Sequence, residues 1–287
     1  MPKLSAQKAT LPDYALFRSV CSNGLSKIRP LRNGASRKDD AWGWNYGSGW
    51  PPSYWAYGRM RAMLTLLEAS ALKPRTVLEV AAGDAALSAC LTTMGCSAAA
   101  NDLRAENLAN AVANFTNSES IRCLPGNLFD LDPREIGQFD LVIACEIVEH
   151  VAHTVDFLQQ LRRFIAPGGH ILLTTPNGAY FRNKLPTHSE IEDFAALEQQ
   201  QFKPDSDGHL FLITPREMES LARQAGLKIE RLVLWATPLV TGHIRLAMLS
   251  NPVFCWACYQ LERLFQNLPF SIKERACFNF SAVLTAR

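Results

Sequence analysis

Between Thr76 and Trp235 short apolar runs of strand length take turns with helical patterns, and this alternation constrains the fold more than any other feature of the sequence. A strand at 76–80 precedes a helix at about 85–94, and a strand at 97–101 precedes a helix at about 105–115. Strands near 120–124 and at 139–145 follow. An amphipathic helix then carries Phe157, Leu158, Leu161, Phe164 and Ile165 at helical spacing and ends at Pro167-Gly168-Gly169, before a strand over His170–Thr175. Thr214 and Glu217 form a capping box around Pro215, opening a helix that closes at Gly226. Strands at about 228–235 and 276–286 finish the series. Strands that alternate with helices form a mostly parallel sheet covered on both faces, so the expected class is α/β, doubly wound.

The flanking sequence reads differently. In AWGWNYGSGWPPSYWAY, seven aromatic residues from Trp42 to Tyr57 include four of the six tryptophans. Glycines and the Pro51-Pro52 pair break regular structure there. We expect residues 1–52 to form an aromatic segment that packs on the domain or covers a ligand site, and residues 53–287 to form the domain itself. A helix starting at Ser53 places Met60, Met63, Leu64 and Leu67 on one face and stops before Pro74. Two stretches, 178–208 and 237–274, exceed ordinary loop lengths and are read as functional insertions. The second contains Val253, Phe254, Ala257, Cys258, Leu261, Leu264, Phe265 and Leu268 at amphipathic spacing, which suits a helix covering the sheet.

A formal charge of +2 and the lack of a basic block argue against nucleic acid as the partner. The chain has no apolar run long enough for a transmembrane helix and no uninterrupted apolar run within its first twenty residues, so a cytoplasmic location is expected. Its eight cysteines then read as reduced thiols. Cys255 and Cys258 lie in a helical apolar pattern. Only Cys277 and His243 are near enough in sequence to complete a zinc site, so packing is the expected role.

Chemistry concentrates in two segments. In VLEVAAGDAALS, 77–88, an apolar strand carries Glu79 and runs into a small-residue turn centred on Gly83, followed by a helix. Such a turn lets backbone approach a ligand, and the helix N-terminus adds a positive field. Nineteen residues beyond Gly83, Asp102 ends the next strand, where a carboxylate can accept ribose hydroxyls. The other segment is FDLVIACEIVEHV, 139–151, followed by PGGHILLTTPN. The first loop also admits a dinucleotide reading, with Ala81, Gly83 and Ala86 in the glycine places. Glu79 would then face a pyrophosphate with the wrong sign.

Together these segments resemble class I S-adenosylmethionine-dependent methyltransferases, most closely the broad group that includes the ubiquinone-biosynthesis O-methyltransferases. The resemblance covers 54–236 and the final strand. It implies a seven-stranded, mostly parallel sheet whose last strand is antiparallel, and S-adenosyl-L-methionine as cofactor. It also implies that Glu79 anchors the loop near the amino end of the cofactor and that Gly83 passes the methionine moiety. Asp102 would bind the ribose hydroxyls and Leu103 would pack on adenine. Asn127, with Leu128 beside it, would meet the adenine amino group. The backbone at Cys145 would face the cofactor's amino group, and Arg61 would hold its carboxylate. The family loop usually reads acidic-x-Gly-x-Gly-x-Gly, and here Ala81 and Ala85 replace the outer glycines.

Methyl transfer from a sulfonium is an in-line displacement, so the protein chiefly aligns the acceptor and removes its proton. His150 and His209 are the candidate bases, with His188 a lesser one. In the ubiquinone-type branch, residues matching Glu146, Glu149 and His150 are associated with a divalent cation. Many relatives share the Glu-His pair without one, and no metal is expected here. The expected acceptor is a small or lipid-like organic molecule, with O-methylation favoured. Two alternatives stay open: a catalytically silent cofactor-binding homologue serving as a partner subunit, and an NAD-dependent oxidoreductase.

Overall fold

The structure, a computed structural model, describes residues 64–287 apart from 67, 84, 115–119, 202–207, 240 and 242–251. The aromatic segment 42–57, the expected helix start at Ser53, Arg61 and His243 lie outside the described residues. The described strands form one seven-stranded sheet in the order β3-β2-β1-β4-β5-β7-β6. β1–β2, β2–β3 and β4–β5 pair in parallel, whereas β7 runs antiparallel to both β5 and β6. The chain divides into two compact units.

One unit comprises the described part of Thr10–Leu128 together with Ala236–Asn267. It holds β1 (Thr76–Val80), α1 (Ala86–Thr93), β2 (Ser97–Asp102), α2 (Ala105–Asn114) and β3 (Ile121–Pro125). β2 reads SAAAND, a poor strand former by propensity, yet it is paired on both sides. Its small side chains let the helices come close. Ala82, Ala85, Ala86, Ala89, Ala100, Leu108 and Ile121 form one buried cluster.

The other unit holds α3 (Pro133–Ile136), β4 (Phe139–Cys145), α4 (Thr154–Arg162), β5 (Ile165–Pro176), α5 (Phe194–Glu198) and α6 (Pro215–Gln224). β6 (Leu227–Trp235) and β7 (Asn279–Ala286) complete its part of the sheet. β5 begins five residues earlier than the sequence pattern suggests. Phe164 and Ile165 are not helical: the Phe164 carbonyl accepts from Phe139 N–H at 2.8 Å, and Ile165 is in register with Phe139. The Pro-Gly-Gly triplet therefore lies inside a strand, where the register with β4 shifts between Phe139 and Leu141. A Cβ on Gly169 would sit 2.8 Å from Phe139 O, which is why glycine is needed at this irregularity.

Both insertions carry structure. The first contains α5 and a 3-10 turn at His188–Glu190. The second contains α7 (Pro252–Phe265) and α8 (Phe270–Ala276), so the last strand starts at Asn279 and not near 276. The expected buried face of the second insertion is also corrected. Cys258 is buried, but Val253, Leu261, Leu264 and Leu268 are exposed.

Candidate active site

In the first unit the chain leaves β1 through three left-handed conformations, at Ala81 (φ 54°), Gly83 (φ 55°) and Ala85 (φ 49°). Only glycine adopts these freely; an alanine there is strained by roughly 1 kcal/mol or more. The loop keeps the shape of a three-glycine turn because its surroundings over-determine it. Glu79 Oε2 accepts from Ser88 N–H at 2.8 Å and from Ser88 Oγ–H at 2.5 Å, fixing the start of α1. Asp102 Oδ2 accepts from Gly83 N–H at 2.8 Å, and Oδ1 accepts from Arg104 N–H at 2.9 Å and Asn107 Nδ2 at 3.0 Å. Ala82 N–H donates to the Asn101 carbonyl at 2.8 Å. The Ala85 residue that departs from the family pattern is fully buried in the alanine-rich cluster.

The two acidic residues singled out by spacing thus do share one loop. A carboxylate has about four acceptor positions, and three on Asp102 are used. Leu103, next to it, is 50% exposed. Asn127 is exposed, whereas Leu128 is 2% exposed and belongs to the core. Buried Asn101 was missed in the sequence. Its amide donates to the Leu124 and Gly126 carbonyls at 2.7 and 2.9 Å and so fixes the chain just ahead of Asn127. An asparagine among strand alanines is the signal that could have found it.

In the second unit β4 ends at half-buried Cys145, and the next residue, Glu146, has φ 51°. A bulky side chain in that region is held by its environment, and such residues cluster at functional sites. Glu146 Oε1 accepts from Thr174 Oγ–H at 2.7 Å and Asn279 Nδ2 at 3.0 Å, and its backbone N–H donates to the Thr174 carbonyl at 2.8 Å. The 3-10 turn Val148–His150 buries Glu149 completely. Glu149 Oε2 accepts from Thr175 Oγ–H at 2.9 Å, and the Glu149 carbonyl accepts from Leu210 N–H at 3.0 Å. That backbone bond brings His209 to the site. His209 Nε2 stands 3.9 Å from Glu149 Oε1, and its ring meets that of His150 edge-on, with centroids 4.9 Å apart.

The structure therefore brings together the two histidines proposed as bases. The pKa of His209 is lowered by burial first and by neighbouring His150 second, against an opposing pull from Glu146. His188 is elsewhere, packed against the Phe194 and Phe211 rings at 4.8 and 5.0 Å, and burial lowers its pKa too. The donor atoms of Glu149, His150 and His209 lie within 4.8 Å of one another. On a tetrahedral zinc two such ligands stand roughly 3.4 Å apart, so the side chains would have to draw together by more than an ångström to close the set. Two imidazoles and a carboxylate match a borderline first-row cation better than magnesium, which favours oxygen ligands.

The strand order with its antiparallel β7, the acid-anchored small-residue turn after β1 and the carboxylate ending β2 define a class I S-adenosylmethionine-dependent methyltransferase. The chain belongs to the methyltransferase domain family, whose model matches residues 54–232. It is similar to the ubiquinone biosynthesis O-methyltransferase of Pseudomonas paraeruginosa, 28% identical over 190 residues that cover 63% of this chain and 76% of the relative. The protein of the same name from Acinetobacter baylyi is 28% identical over 182 residues, 62% of this chain and 74% of the relative. Among solved structures, the CcbJ methyltransferase from Streptomyces caelestis shares the fold with a TM-score of 0.51 at 17% identity, over 77% of this chain and 88% of that one. An S-adenosylmethionine-dependent methyltransferase from Clostridium acetobutylicum matches with a TM-score of 0.51 at 14% identity, over 82% and 92%.

Proposed function

We propose that this methyltransferase methylates a hydroxyl oxygen of a small or lipid-like organic acceptor, and that His209 removes the proton. The observation that carries this reading is the arrangement of partly exposed His209 and His150 around buried Glu149, just beyond the carboxyl end of β4. Ligands of doubly wound sheets sit beyond such strand ends. With Nε2 turned toward Glu149, Nδ1 of His209 is the nitrogen that takes the acceptor proton, and Glu149 steadies the resulting imidazolium. The acceptor oxygen forms its bond to the methyl carbon as the carbon–sulfur bond breaks. The electron pair of that bond stays on sulfur, giving the neutral thioether. O-methylation is favoured by the named activity of the ubiquinone-type relatives.

On the cofactor side, the small-residue backbone at Ala81 and Gly83 would pass the methionine part, and Glu79 would hold that backbone. Asp102 would take a ribose hydroxyl with its remaining acceptor position. Leu103 would cover one adenine face, Asn127 the adenine edge from a position backed by Leu128, and the Cys145 backbone and Arg61 the amino-acid end.

Calorimetry with S-adenosylhomocysteine tests the cofactor half. Asp102→Ala should weaken binding at least about tenfold, because a lost charge-assisted hydrogen bond costs roughly 1.5–3 kcal/mol. Unchanged affinity in a folded variant would remove the assignment. His209→Asn should keep cofactor affinity and lose turnover. Cofactor binding without turnover on any hydroxylated extract would favour the silent partner-subunit reading.

A second reading is favoured by the donor cluster: a divalent cation held by Glu149, His150 and His209 would supply Lewis-acid activation of the acceptor hydroxyl. We expect turnover to survive chelation. Loss on chelation, with rescue by zinc, manganese or iron(II), would establish the metal reading instead.

A further inference from the structure

Helix α7 turns a carboxylate inward and leaves large apolar side chains outside. Cys258, Tyr259 and Glu262 are buried, as is Gln266 just past its end. Val253 (74% exposed), Trp256 (50%), Leu261 (51%) and Leu264 (64%) face solvent. At 3.6 residues per turn these four share one side of the helix, opposite Glu262. Half-buried Ala257 and Gln260 lie among them, and a surface helix of a globular domain ordinarily turns such large apolar side chains toward its core.

The cause lies within the same unit. Glu262 accepts from Ala236 N–H at 3.0 Å and from Thr237 N–H at 3.1 Å, securing a turn in which Ala236 has φ 65°. That attachment fixes the rotation of α7 about its axis and leaves the apolar row outside. The outer side carries no acidic group, because the helix has two charged residues and Glu262 is the buried one. Arg263, partly exposed and hydrogen-bonded to Gln260 at 3.2 Å, lies next to Trp256 around the helix.

An apolar row flanked by a tryptophan and a cation is the chemistry of a helix lying in a bilayer interface. Fourteen residues rise about 21 Å, too short to span, and no described helix is long and apolar enough to cross a membrane. A second copy is the weaker match. One row of four side chains falls well short of the roughly 800 Å² per partner that a stable dimer buries. We infer that the outer side of α7 seats the protein on a lipid surface, at the boundary between headgroups and acyl chains, with Arg263 favouring anionic headgroups. The inference stands on the geometry of α7 and does not depend on the proposed acceptor.

The test is co-sedimentation of the full chain with phosphatidylcholine vesicles, with and without one-third phosphatidylglycerol. Binding should occur to both and be stronger to the anionic vesicles. Trp256→Gln with Leu264→Gln should weaken it at least about tenfold, since each change removes apolar burial worth a large part of a tenfold step or more. Both side chains are exposed, so an unchanged thermal midpoint is expected and certifies the fold. Arg263→Gln should level the difference between the two vesicle types. Quenching of fluorescence by brominated lipid should diminish in Trp256→Phe. No sedimentation with either vesicle overturns the inference. So does a concentration-dependent dimer that Leu264→Gln abolishes, which would assign the face to a second copy.

Discussion

At Gly83 the backbone, not the available space, dictates the residue. An added Cβ would meet nothing within 4 Å, yet φ is +55°. Gly83→Ala should therefore cost about 1 kcal/mol, read as a lowered denaturation midpoint with no change in packing. Ala81 and Ala85 already bear that strain, and the Glu79–Ser88 and Asp102–Gly83 bonds hold them in it. For His209, burial and His150 lower the pKa below the ordinary value of 6.5, so it is neutral and able to accept a proton at pH 7. We expect kcat/KM to fall only as the pH drops through a value below 6.5. His209→Asn should remove that limb and cost about 10²–10⁴-fold in rate. A limb with a midpoint above 6.5 would point to a different base.

At the scale of elements, one carboxylate ties two helical starts together. Glu217 Oε2 accepts from Thr214 N–H at 2.7 Å, completing the capping box of α6, and Oε1 accepts from Ser189 N–H at 2.7 Å in the 3-10 turn of the first insertion. Burial alone would raise its pKa, but the bonds from Ser189 and Thr214 together outweigh that and hold it low. Glu217→Ala should cost about 1–2 kcal/mol in chemical denaturation and make residues 187–190 more sensitive to proteases. An intact 187–190 turn in that variant would show that the turn is held by other contacts. The capping box was legible because its partners are three residues apart; the Ser189 bond spans twenty-eight and has no local signature. The same division holds elsewhere. Local spacing revealed the loop after β1, Asp102 and the α6 cap. The meeting of His150 with His209, the start of β5 and the orientation of α7 depended on bonds between distant residues. Apolar spacing put Leu261 and Leu264 inside, and the demand of the 236–237 backbone for the Glu262 carboxylate turned them out.

Across the whole molecule, proton binding to buried groups sets the dependence of stability on pH. His188 and His209 both have folded pKa values below 6.5, so the unfolded chain binds more protons between those values and 6.5. Their contribution is complete above 6.5 and is lost as pH falls through that window. Glu262 acts in the opposite sense. Its pKa is raised by burial, so stability falls as pH rises from 4.5 through its folded value. Replacing His188 with Phe removes one of the two histidine contributions and leaves Glu262 untouched, so the urea midpoint of the variant should fall less than that of the parent as pH drops below 6.5. Parallel profiles for parent and variant between pH 7 and 5 would contradict it.

The placement of β7 also bears on how the chain assembles during synthesis. β6 leaves the ribosome before β7, yet β7 is the strand it pairs with, and β7 is also the neighbour of β5. β6 must wait as an unpaired edge until the following strand slides in beside it. Asn279 opens that late strand, in register with Pro176 and Trp235, and its amide reaches Glu146. The nascent polypeptide thus acquires its complete Glu146 environment only when its last described strand docks, so the turn that follows β4 is among the final parts of this unit to mature.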